Sequence, residues 1–117
     1  MIEVHTDGWL FRVVDPAFEL VIPHWEGMDP ATAQEADATI YLPDGTRRYA
    51  TFMTLEGIAK IMSRWQETGE CLNGRYFYCT DLVVINGAGF NAMADAIRDL
   101  ISTGDLEHAC GLLPPED

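Results

Sequence analysis

TLEGIAKIMSRWQETGECLNGRYFYCTDLVVINGAGFNAMADAIRDLI, residues Thr54–Ile101, reads as helix, strand, helix and decides the fold class. Thr54 is an N-cap residue, and Leu55, Ile58, Ile61, Met62 and Trp65 recur at three- and four-residue intervals along one helical face. Gly69 supplies a left-handed stop, so this helix ends near Thr68. Arg75 to Asn86 is rich in aromatic and β-branched residues and is expected to be a strand. Its Leu82–Ile85 run lacks alternation, which predicts cover on both faces. Asn91 is expected to cap a second helix in which Phe90, Met93, Ala94, Ile97 and Ile101 share a face up to Gly104.

Upstream, the pattern changes to strands. Ile2 to His5 and Trp9 to Val14 flank Asp7-Gly8, a hairpin signal. Phe18, Leu20 and Ile22 alternate with Glu19 and Val21 until Pro23, which suggests a third strand near a sheet edge. Gly27 to Asp37 shows no period and reads as a loop. Ala38–Leu42 and Arg47–Met53 are strands around the Pro43-Asp44-Gly45-Thr46 turn. Asp105 to Leu113 is expected to be a short terminal helix and 114–117 a solvated tail. The order βββββαβα predicts an α+β domain spanning 1–117, with a mostly antiparallel sheet of five to six strands and two main helices packed on one face.

A chain of 117 residues with 48% hydrophobic residues can bury roughly two thirds of its unfolded surface. The net charge of −12 is therefore a surface property and not a mark of disorder. No basic-then-apolar leader and no 18-residue apolar run are present, so the expected location is the cytoplasm, with no membrane partner. Cys71, Cys79 and Cys110 are odd in number and far apart, which argues for free thiols over a disulfide framework or zinc site. Cys79 is expected to pack in the strand core, and Cys71 to be more exposed and unreactive beside Glu67 and Glu70. With only seven Lys and Arg, direct nucleic-acid binding is not expected, because each phosphate contact calls for a cation.

Gly87-Ala88-Gly89-Phe90-Asn91-Ala92 fits G-x-G-x-x-A after a strand and before a helix. Locally it resembles the dinucleotide-binding fingerprint of Rossmann folds, which implies backbone N–H groups of Gly87, Gly89 and Asn91 around an anion at a helix N-terminus. Only 16 residues follow Ile101, and they include Pro114-Pro115, so the second parallel strand of such a unit has no place. The reading that follows is a tight strand-to-helix turn with an incidental anion site, and no cofactor is expected.

His24-Trp25-Glu26 and His5-Thr6-Asp7 each set a carboxylate two residues from an imidazole. Neither has a Ser or Cys nucleophile beside it, and no catalytic or metal-ligating set is expected. The distribution of charge is more informative. Residues 1–44 carry −8 and residues 65–117 carry −7, whereas 45–64 carry +3 from Arg47, Arg48, Lys60 and Arg64 against Glu56. Trp25 stands beside Glu26, Asp29, Glu35 and Asp37, and an aromatic anchor among carboxylates suits a basic protein surface. The functional expectation is a non-enzymatic acidic binding protein of bacterial immunity or inhibitor type, with these five residues making the contact. The alternatives are a small-ligand or nucleotide-binding protein or enzyme using the glycine turn 86–91, and a homodimeric structural or regulatory accessory.

Overall fold

The structure, a computed structural model, describes residues 2–116. It is an α+β fold in which five strands precede most of the helical chain: β1 (Glu3–Asp7), β2 (Leu10–Asp15), β3 (Phe18–Pro23), β4 (Glu35–Tyr41) and β5 (Arg47–Thr54). There follow α1 (Leu55–Thr68), a short turn α2 (Glu70–Gly74), β6 (Leu82–Ile85), α3 (Phe90–Thr103), α4 (Leu106–Ala109) and β7 (Gly111–Leu112). The sheet order is β1-β2-β3-β4-β5-β6, with β7 also on β5. Among the described residues only the β5–β6 pair is parallel, because α1 provides the crossover.

The core follows from alternation. Phe11 and Val13 of β2, Phe18, Leu20 and Ile22 of β3, Ala36, Ala38 and Ile40 of β4, and Ala50 and Phe52 of β5 are buried together. Phe90, Met93, Ala94 and Ile97 of α3 close this layer, and Phe90 meets Phe11 edge to face at 5.3 Å. The α1 face is different, for none of its residues is fully buried. Its stripe meets the segment that follows it: Trp65 stacks on Phe77 at 5.6 Å and 21°. Thr54 caps α1 by accepting from the Gly57 N–H at 2.9 Å.

Several sequence expectations are corrected. The β3 strand is internal and not near an edge. Its pairing with β4 covers only Glu19–Val21, so Pro23 at the strand end interrupts no ladder there. The β4 strand begins at Glu35, inside the stretch read as a loop; its inward residues Ala36 and Ala38 are too small to stand out as a hydrophobic period. The Arg75–Asn86 strand shrinks to Leu82–Ile85, and the register gives the reason. Parallel pairing starts at Thr51↔Leu82, and continuing it backward would bring 79–80 opposite Arg48–Tyr49, where β7 is already bonded. Asp81 turns the chain away with φ +58, and its carboxylate accepts from the Gly111 N–H at 3.0 Å. Cys79 consequently lies half-buried outside the sheet, and Cys71, also half-buried, sits in a turn where Cys71, Leu72 and Asn73 are all left-handed.

The two-sided cover expected for Leu82–Ile85 is also absent. The β6 strand ends the sheet and Val84 is 48% exposed. Asn91 is not the cap of α3: Gly89 occupies that position with φ +102 and ψ 161, and Asn91 is exposed in the first turn. The terminal helix stops at Ala109, after which β7 joins the edge of β5. Residues 114–116 are exposed but tied back, with Arg47 donating to the Pro114 carbonyl and Tyr41 Oη to Glu116 Oε2 at 3.4 Å. Asp117 lies outside the described residues. Among the described residues, no helix is long and apolar enough to cross a membrane.

Candidate functional site

The face of β4 and β5 that points away from the core carries Glu35, Asp37, Tyr49 and Thr51. Antiparallel register puts Asp37 opposite Thr51 and Thr39 opposite Tyr49. The Tyr49 hydroxyl donates to Asp37 Oδ1 at 2.7 Å, and the Thr51 hydroxyl donates to the same oxygen at 3.0 Å. One carboxylate oxygen is thus fixed by two hydroxyls. Burial first, then the bond and charge of Asp37 and the nearby Cys79, outweigh the opposing Thr51 bond and hold the Tyr49 pKa above its ordinary value. At neutral pH Tyr49 is therefore a hydrogen donor, and both hydroxyls fall on the same Asp37 oxygen.

Trp25 reaches this face from the loop after β3. With Glu35, Ala36, Asp37 and Thr51 it lines a depression of about 200 Å³, and it is 45% exposed. Of the five residues singled out in sequence, three converge here. Glu26 is exposed next to Trp25, whereas Asp29 is committed to its own turn: its Oδ1 accepts from the Ala31 N–H at 2.9 Å and its carbonyl from Thr32 and Ala33. Tyr49 and Thr51 were missing from the sequence reading. Counting back across the Pro43–Thr46 turn, from Tyr41↔Arg47 to Asp37↔Thr51, is the signal that finds them.

The glycine turn occupies a different place. The Gly89 N–H donates to the Ala33 carbonyl at 2.8 Å and the Phe90 N–H to the Pro30 carbonyl at 2.8 Å. Two donors that an anion would need at the start of α3 are engaged by the 29–33 loop. Gly87 and Asn91 remain exposed. The turn locks that loop, and so sets the path into Glu35.

His24 rests against Phe11, ring centroids 4.4 Å apart, and His5 lies 3.4 Å from Glu3 on the exposed β1. Three of the four cations of the 45–64 segment are engaged within the chain. Arg47 and Arg48 donate to the Pro114 and Cys110 carbonyls, and Lys60 pairs with Glu56 at 3.5 Å. Among the described residues, no group of three His, Cys, Asp or Glu side chains could hold a metal ion. Comparisons of the chain with protein-family models, with curated proteins and with solved structures return no match.

Proposed function

We propose that this chain is a small acidic binding protein that docks a basic protein surface, of the immunity or inhibitor type, through the depression formed by Trp25, Glu35 and Asp37. One observation carries the reading: an exposed indole and two carboxylates 10 and 12 residues further along the chain meet in one depression at the sheet face. Glu26 extends the acidic border. Trp25 supplies an anchor of large area and low side-chain entropy, and a cation held over an indole gains about 0.5–2 kcal/mol. Asp37, oriented by Tyr49 and Thr51, supplies a pre-positioned acceptor for an Arg or Lys donor. The chain's −12 charge steers such a partner and makes association fall with ionic strength.

The test is calorimetric titration of a panel of basic nucleases against the native chain and Trp25→Ala. A specific complex weakened at least about 30-fold by the substitution, which is hot-spot behaviour, supports the proposal. A panel that yields no complex, or one indifferent to Trp25→Ala, refutes it.

A further inference from the structure

A second cavity lies elsewhere on the molecule, between the β4–β5 turn, the end of α3, α4 and β7. It is an open groove of about 640 Å³, and Leu42, Pro43, Ile101, Leu106 and the largely exposed Leu112 give it an apolar lining. That is the size range of small-molecule sites, roughly 300–1,000 Å³, and such sites pair an apolar wall with a few placed polar groups. Here the placed cation is Arg48, half-buried on β5. Its Nη1 donates to the Cys110 carbonyl at 2.8 Å, which fixes the guanidinium. Among the described residues, no carboxylate lies within 4 Å of it, although the chain has 19 acids. A guanidinium has five donors and the Cys110 carbonyl takes one of them, while the charge of Arg48 reaches Asp44 at longer range and helps to lower its carboxyl pKa behind the two Thr46 bonds.

Two acids also line the cavity, Asp44 and Glu107, and both are exposed. The Asp44 carboxylate is turned into its own loop, accepting from the Thr46 N–H at 2.9 Å and the Thr46 hydroxyl at 2.6 Å. Arg48 is the cation among the lining residues, and the two acids disfavour ligands with a second negative charge.

We infer that this cavity binds a small aliphatic monocarboxylate, its hydrocarbon body against Leu42, Ile101 and Leu106 and its carboxylate on the Arg48 guanidinium. Burial of the chain supplies affinity and the charge-assisted pair supplies orientation. The site is independent of the Trp25 depression, so either can fail without the other.

The experiment is an amide chemical-shift titration of the full chain with octanoate, octanol and octylammonium, which share a hydrocarbon body and differ in head group. Octanoate is expected to bind with shifts centred on 42–48, 101–107 and 112, at least tenfold tighter than octanol. Arg48→Gln should cost octanoate at least tenfold and leave octanol unchanged, Arg48→Lys should retain part of the preference, and Arg64→Gln on α1 should change nothing. Because the head-group comparison is made on the native chain, it stands even if an Arg48 variant folds poorly. Octanol equal to octanoate, octylammonium tightest, or no shifts at these residues at millimolar probe overturns the inference.

Discussion

Gly89→Ala is the substitution whose cost can be worked most fully from the structure. Gly89 has φ +102 and ψ 161, a conformation essentially confined to glycine. Holding alanine there costs about 1–3 kcal/mol. A Cβ at this position would stand 2.6 Å from the Ala31 carbonyl oxygen, 3.1 Å from its carbon and 3.2 Å from the Pro30 carbonyl oxygen. These are backbone atoms, so relief requires the 29–33 loop to withdraw, and withdrawal breaks the Gly89–Ala33 and Phe90–Pro30 hydrogen bonds. At about 1 kcal/mol each, the bonds bring the total to about 3–5 kcal/mol. That is a large share of the 5–15 kcal/mol stability typical of such domains. Urea unfolding followed by circular dichroism measures it, with Gly87→Ala as the comparison, since nothing lies within 4 Å of a Cβ there. A Gly89→Ala chain within about 1 kcal/mol of the native one would show that the turn does not lock the loop.

Asp15 accepts from the Ala17 N–H, its strongest stabilisation, and from Arg98, against the opposing effect of its own burial; its pKa lies below the ordinary carboxylate value. Its contribution to stability is therefore complete above the unfolded-state value of about 3.9 and is lost as pH falls through that value toward the lower folded one. Asp15→Asn should flatten the acid limb of the stability–pH curve in that window, and an unchanged limb would contradict the pairing. Thr54→Ala removes the α1 cap and should cost about 0.5–2 kcal/mol in the same unfolding assay, a loss that vanishes if the Gly57 bond is unimportant. Leu72, 66% exposed at φ +52, carries left-handed strain without a burial reward, so Leu72→Gly should raise stability by up to about 1 kcal/mol. A fall on that substitution would mean that the exposed side chain contributes packing.

Residues with large side chains made most of the fold legible. The Phe18-Leu20-Ile22 alternation and the Phe90-Met93-Ala94-Ile97 face read as core and are core, because large apolar groups recur at the element's own period. The misses have local causes. Ala36 and Ala38 are inward residues of β4 that lack hydrophobic bulk, so the pattern shows no strand before Ala38 although Glu35 and Asp37 belong to one. Tyr76, Phe77 and Tyr78 have strand-like composition, but their rings stack locally, Tyr76 on Tyr78 and Phe77 on Trp65, while β7 occupies the edge they would have joined. A two-residue strand such as Gly111–Leu112 has no period to read. Of the site, Trp25, Glu35 and Asp37 came from composition and proximity. The Tyr49 and Thr51 hydroxyls needed the hairpin register, and the engaged N–H groups of the glycine turn needed the tertiary position of the 29–33 loop.

On the proposed function, a particular acidic and aromatic face, not diffuse negative charge, recognises a basic partner. The direct measurement compares two double variants that each remove two carboxylates, Glu35→Gln/Asp37→Asn and Glu67→Gln/Asp99→Asn, in titrations against the basic nuclease that binds the native chain. All four positions are exposed, and asparagine at 37 still offers an acceptor to Tyr49. The predicted result is a loss of at least about 30-fold for the first pair and under about threefold for the second, a separation of more than 1.4 kcal/mol. Equal losses from the two pairs would contradict the claim, because binding would then follow net charge and not the site.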